Sequence, residues 1–258
     1  MLSVSTALAR LQDGLGESFP DSPGTRIIDI AFPLNDAFDP LLWCGQQPQW
    51  PQFYWQQRSG DEELAALGAV KIFSSLPQAH AFLQQQARDD LRICGLNAFD
   101  PQRGMLLLPR LEWRRLGGHA TLRLTLYSDT SLRDDACAAR EFLRSLTTRQ
   151  AQPGTLPSLL SEQHFPAYPQ WRDLVAQATQ AIAAGEMDKV VLARATDLQF
   201  AAPLNVGAIM AASRRSNLHC FHYLMAFNPQ EAFFGSTPER LWRRRGALMR
   251  TEALAGTA

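Results

Sequence analysis

The chain is short of lysine, of cysteine and of net charge, and each shortage narrows what it can do. Its 258 residues carry 25 basic and 25 acidic side chains, so no surplus charge draws it to nucleic acid or to an anionic membrane. A small-molecule partner is the default expectation, with no nucleic acid and no membrane. No apolar run approaches the roughly 20 residues that span a bilayer, and the amino-terminal stretch MLSVSTALARLQDGLGESF is broken by Arg10 and Asp13, unlike the apolar centre of a signal peptide. Cys44, Cys94, Cys137 and Cys220 are each more than 40 residues from the next and form no CxxC pair. They read as small buried hydrophobes in a reducing compartment, which points to the cytoplasm. GxGxxG, P-loop and GxSxG patterns are also missing, leaving nucleotide binding and α/β-hydrolase chemistry unsupported.

Lysine is the most informative shortage. Only Lys71 and Lys189 are lysine, and the other 23 basic residues are arginine. Arginine keeps its proton in a protein, so a site that needs a neutral amine must use lysine whatever the composition prefers.

What is present is ample core material, with 46% hydrophobic and 9% aromatic residues, enough for one large domain or two modest ones. The spacing of Val4, Ala7, Leu8, Leu11 and Leu15 predicts a helix, followed by strands at 26–32, 52–58 and 64–73. A helix is expected between Pro77 and Asp89. Three more strands should follow, in LRICGLNAF, GMLLLPRLEWRRL and HATLRLTLYS, the last burying Leu122, Leu124 and Leu126 against exposed Thr121, Arg123 and Thr125. A helix from about Asp134 to Leu146 closes an α/β region, residues 1–150. Residues 151–168 hold prolines and a glycine and read as a connection without regular structure. Beyond it, residues 169–258 open on a helix with the stripe Trp171, Leu174, Val175, Ala178 and Ile182, with Pro169 in its first turn and Gly185 as its left-handed cap. A strand through DKVVLARATDLQF follows, with the run Val190–Ala193 buried on both faces. A helix (Val206–Ser213), the strands HCFHYLMAF and EAFFG, the turn STPE and two further strands through LWRRR and ALMRTEAL complete the expectation. The chain stops at EALAGTA without a closing helix or polar tail, which reads as a fragment of a longer protein.

Candidate chemistry is sparse. Strand alternation puts Lys189 on a face with Val191, Ala193 and Ala195, where burial would lower its pKa; a three-unit shift stores about 4 kcal/mol. A snorkelling surface lysine is the alternative. Glu239 follows the turn Gly235-Ser236-Thr237-Pro238 and is either a carboxyl with a raised pKa in an apolar pocket, able to act as general acid, or the ion-pair partner of a nearby arginine. His219 and His222 are three apart on a strand and face opposite sides, so they should not share a metal ion. Trp242-Arg243-Arg244-Arg245 reads as a solvated edge strand more readily than as a nucleic-acid patch.

Three segments, AGEMDKVVLARA (183–195 region), FFGSTPERL (233–241) and TEALAGTA (251–258), in this order and spacing resemble the chorismate-utilising enzymes: isochorismate, salicylate, anthranilate and aminodeoxychorismate synthases. The stretches PQFYWQQRSGDEE, ICGLNAFDP and LLLPRLEWRR are similar to the menaquinone-specific isochorismate synthases of enteric bacteria, so the resemblance covers essentially the whole chain. It implies an α/β (α+β type) fold in which large antiparallel sheets pack together with helices outside, present here in part, with residues 169–258 the first part of the chorismate-binding region.

Within that resemblance, members that add ammonia typically have glutamine where this chain has Lys189, and aminodeoxychorismate synthases have a lysine where it has Ala255. Both positions favour a water-adding member. The resemblance then implies an isomerase: Lys189 as general base for water attacking C2 of chorismate, Glu239 as general acid for the departing C4 hydroxyl, and the backbone of Gly256 and Thr257 at a substrate carboxylate. It also implies Mg²⁺ on the C1 carboxylate, with metal ligands in segments after Ala258 and none in this chain. Salicylate synthase, which shares the lysine, and a non-catalytic truncated fragment are the alternatives, and the 258 residues alone are expected to be inactive.

Overall fold

A computed structural model describes residues 4–32, 38–100, 102–150 and 155–252. In chain order the elements are α1 (Val4–Gly14), β1 (Gly24–Phe32), α2 (Pro40–Cys44), β2 (Gln52–Gln56), β3 (Glu62–Phe73), α3 (Leu76–Gln85), β4 (Cys94–Asn97), β5 (Gly104–Leu116), β6 (His119–Ser128) and α4 (Leu132–Ser145). They continue with β7 (Leu159–Phe165), α5 (Tyr168–Ala183), β8 (Ala195–Phe200), α6 (Val206–Ser216), β9 (Phe221–Asn228), β10 (Glu231–Thr237), β11 (Arg243–Arg245) and β12 (Leu248–Arg250). Two compact units result, Met1–Pro153 with Asn205–Ala258, and Gly154–Leu204.

The first unit is built on one eight-stranded sheet in the order β1-β6-β5-β3-β2-β9-β10, with β4 also pairing β5. Every ladder is antiparallel. The strand β5 has β3 along one side, and on the other β4 at its start and β6 at its end. Residues 221–237 thus extend the sheet begun by residues 24–128, because β9 pairs with β2 in the register Gln52↔Ala226 to Gln56↔His222.

Strand alternation gives the sheet two different faces. On one, Tyr54, Leu67, Leu111, Leu122, Leu124, Leu126 and Leu224 pack against α1, α2, α4 and α6 in the principal core. Each fully buried leucine contributes about 2 kcal/mol. Helix α4 is held at its start by Ser131, whose side chain accepts from the Asp134 amide, and α2 by Asp39 in the same way. Further cover comes from α3, through Phe82 against Phe73, Leu106 and Leu108, with Ile27 and Tyr127 of β1 and β6 packed beside them. That cover explains why Thr125, expected to be exposed, is buried. A further apolar cluster, Phe53, Leu64, Ala66, Leu107 and Met225, lies on the strands that carry the candidate site.

The second unit contains α5 and the antiparallel pair β7 and β8, which α5 connects. Pro169 lies in the first turn of α5, and the helix ends with Gly185 at φ +75°, the Glu186 and Gly185 amides donating to the Ala181 and Ile182 carbonyls. This is the left-handed glycine cap that the sequence predicts. Two expectations fail here. Residues 151–168 were expected to lack regular structure, yet the proline-free run between Pro157 and Pro166 forms β7. The run Val190–Ala193 was expected to be a strand buried on both faces, yet β8 begins only at Ala195, and Val191 is 81% exposed. The register supplies the reason. Phe165 pairs with Ala195, so Arg194 would pair next with Pro166, which has no N–H to give the ladder. Arg194 Nε donates instead to the Pro166 carbonyl, at 3.1 Å.

The thiols also differ from expectation. Cys44 is buried, but Cys94 and Cys220 are half-buried and Cys137, on the outward side of α4, is exposed; all four are unpaired. No helix among the described residues is long and apolar enough to cross a membrane.

Candidate active site

Away from the principal core, β2, β9 and β10 present their odd-numbered side chains. Trp55 lies opposite Tyr223, and Tyr223 opposite Gly235; the next row is Phe53, Met225 and Phe233. The Trp55 and Phe221 rings stack with centroids 6.2 Å apart, and Tyr223 and Phe233 stack at 5.6 Å. Over these rings lies a cavity of about 470 Å³, lined also by Leu96, Trp242 and the polar residues Gln57, Thr237, Glu239, Arg240 and Arg243. Its size suits a small organic molecule, and its aromatic floor with a few polar groups at the edge is the usual make-up of such a site.

The glycine in FFGSTPE has a definite task. A methyl group on Gly235 would lie 2.6 Å from the Tyr223 hydroxyl oxygen, closer than non-bonded atoms approach. Only glycine lets the Tyr223 ring cross β10 and form part of the floor.

Glu239 stands at the mouth of this cavity. Its backbone amide donates to Thr237 Oγ1 at 3.2 Å, so the threonine of the STPE turn fixes the backbone that carries the carboxylate. The sequence offered two environments for Glu239, an apolar burial or an ion pair. The structure gives neither: the side chain is exposed, and among the described residues no arginine pairs with it. The adjacent Arg240 is committed to Glu252. Arg58 also reaches Glu252, at 3.2 Å, and donates to the Pro238 carbonyl at 2.9 Å. Sequence reasoning did not single out Arg58 or Glu252. The partners of Arg58 lie 180 and 194 residues away along the chain, and no local periodicity signals such a pairing.

On the helix-facing side of the same strands, His222 is 4% exposed, and its Nδ1 shares a 2.8 Å hydrogen bond with Ser236 Oγ, which in turn lies 2.8 Å from Ser213 Oγ. Burial, with a smaller contribution from the Arg214 charge, lowers the His222 pKa below its ordinary value of 6.5. Arg214 itself is held by Tyr54, Glu63 and Asp39. Because the unfolded chain takes up the proton first, the stability that neutral His222 contributes is fully present above pH 6.5 and is lost as pH falls below it. The melting temperature is therefore expected to drop below about pH 6.5, and less steeply in His222→Asn. Thermal melts between pH 5 and 8 check this; an unchanged slope in the variant would assign the effect to other groups.

His219 was expected on the same strand as His222, but it precedes β9 at φ +61°; among the described residues no three His, Cys, Asp or Glu side chains converge to hold a metal ion. The arginine run behaves as an edge: β11 pairs only with β12, and Arg244 and Arg245 are exposed, whereas Arg243 and Trp242 turn to the cavity.

The sequence pattern of the family described as chorismate binding enzyme matches residues 19–258. The chain belongs to the chorismate-binding enzymes. Among relatives, it is 58% identical over all 258 residues to the isochorismate synthase MenF of Escherichia coli (strain K12), covering 60% of that protein. It is 35% identical to the isochorismate synthase MenF of Pasteurella multocida (strain Pm70), over 89% of this chain and 52% of that one. The fold is that of the solved structure of MenF, the menaquinone-specific isochorismate synthase from Escherichia coli, with a TM-score of 0.89 and 57% identity over 96% of this chain and 58% of that chain. The chain thus spans between half and three-fifths of the length of these relatives.

For a chorismate-binding enzyme, the candidate residues divide between the two units. Glu239 and its cavity belong to the first and Lys189 to the second. Lys189 lies between the Gly185 cap and β8, exposed and not on a strand, so the desolvation expected from an apolar strand face is absent in its own unit. Among the described residues it has no carboxylate partner. Gly256 and Thr257 lie outside the described residues.

Proposed function

We propose that this chain carries out isochorismate synthase chemistry, the isomerisation of chorismate to isochorismate by addition of water at C2 and loss of the C4 hydroxyl, in menaquinone biosynthesis in the cytoplasm. The observation that carries the reading is the 58% identity, sustained over the whole chain, to an isochorismate synthase. The aromatic cavity with Glu239 at its mouth adds to it, since it offers flat apolar walls to a ring and a carboxyl group to the ring's edge.

In this mechanism Lys189, as the neutral amine, takes a proton from water while the water oxygen bonds to C2. The ring double bonds shift and the C4–O bond breaks. Glu239, as the neutral acid, gives the leaving hydroxyl its proton, so that one water enters and one leaves. Proton exchange with solvent then restores both groups. Arg243 at the rim offers a guanidinium to a substrate carboxylate, and the backbone of Gly256 and Thr257 is assigned the same task on the strength of the family motif. Mg²⁺ belongs to the proposal as a charge-neutralising ion at the C1 carboxylate. The described residues do not fit it: Glu252 is already met by Arg58 and Arg240, and no other carboxylate joins Glu239 at the cavity. No step above is routed through the metal.

Incubating the complete gene product with chorismate and Mg²⁺ and separating the products by chromatography tests the reading. Isochorismate is the expected product. Salicylate with pyruvate would support the alternative, which the isochorismate synthase relatives do not favour, and unchanged chorismate would contradict both.

A further inference from the structure

The turn that carries Glu239 is fastened from outside itself. Pro238 has no N–H to anchor it, and its carbonyl is instead bound by Arg58 Nη1 at 2.9 Å, from the residues just after β2. The same guanidinium lies 3.2 Å from Glu252 Oε2, and Glu252 binds Arg240, the residue after Glu239. Both guanidiniums also lie over the Phe221 ring, at 5.5 Å for Arg58 and 5.6 Å for Arg240, and Phe221 lines the cavity. Glu252 is only 11% exposed and Arg240 14%, so water competes weakly for these bonds and the cluster has few alternative arrangements. One bond thus holds the residue before Glu239 and another the residue after it, while Glu239 itself has no ion-pair partner among the described residues and can address a ligand.

We propose that Arg58 and Glu252 are positioning residues for Glu239: they clamp residues 238 and 240 and thereby set where the acid stands at the cavity mouth. This rests on the reading of Glu239 as the general acid. Neither residue touches the reacting atoms. A surface ion pair kept only for stability would contribute little and could be removed without cost to turnover. A clamp on a catalytic group has a different signature, because displacement of the group by about 1 Å costs about 10²-fold in rate.

The test uses the complete gene product and four variants: Arg58→Ala, Arg58→Lys, Glu239→Gln, and Arg58→Ala combined with Glu239→Gln. Arg58→Ala is expected to lower kcat by about 10- to 100-fold with KM nearly unchanged. Arg58→Lys, which keeps a cation over Phe221 but loses the two-pronged grip on Pro238 and Glu252, should fall between it and wild type. If Arg58 acts through Glu239, adding Arg58→Ala to Glu239→Gln costs little further rate, since the group it positions has already lost its proton. Losses that multiply in the double variant, or wild-type kcat in Arg58→Ala with Glu239→Gln inactive, would overturn the clamp while sparing the assignment of Glu239. Wild-type turnover in Glu239→Gln would overturn that assignment and the clamp with it. Should Arg58→Ala fail to fold by thermal melting, Arg58→Lys with and without Glu239→Gln gives the same decision.

Discussion

Replacing Lys189 with alanine is expected to abolish measurable isochorismate formation in the complete gene product and to leave its melting temperature unchanged. The loss expected for removing a general base is about 10²- to 10⁴-fold in kcat. The fold should not notice, because Lys189 is exposed, outside any strand and without an ion-pair partner among the described residues; substitutions at such sites stay within about 0.5 kcal/mol. Lys189→Arg should fail equally, since a guanidinium cannot give up its proton to become a base. Steady-state kinetics alongside a thermal melt decide the matter. Near-normal turnover in the arginine variant would mean that positive charge, and not a neutral amine, is what the position supplies.

Glu239→Gln should remove most of kcat, by about 10²- to 10⁴-fold, with KM for chorismate little changed. The amide keeps the shape and hydrogen-bonding reach of the carboxyl, but has no proton for the departing hydroxyl. Glu239 lines the cavity, is exposed and has no ion-pair partner among the described residues, so the substitution should leave the fold intact, and a melt controls for it. A raised KM with kcat preserved would make Glu239 a binding group.

Local chemistry made much of the fold legible. The alternation of Leu122, Leu124 and Leu126 marked β6, and Pro169 and Gly185 marked the two ends of α5. Each of these signals acts over a few residues, through side-chain period or backbone torsion. What escaped was non-local. Nothing in QFYWQQR says that it will pair with FHYLMAF some 170 residues later, and nothing in the Arg58 neighbourhood points to Pro238. The misreading of Val190–Ala193 has the same origin: an apolar run is a strand only if a neighbour offers N–H and C=O groups opposite it, and the neighbour here is Pro166. At the site, the motifs singled out Lys189 and Glu239, but the aromatic floor depends on sheet register. Trp55, Tyr223 and Phe233 become neighbours only once β2, β9 and β10 are aligned.

The most direct measurement of the central claim is the fate of solvent oxygen. The complete gene product, incubated with chorismate and Mg²⁺ in H₂¹⁸O, should release isochorismate carrying one ¹⁸O in its C2 hydroxyl, and Lys189→Ala should release none. Isochorismate without label would mean that the hydroxyl moves within the substrate and no base-activated water attacks C2, and that result, like the absence of any conversion, would contradict the account.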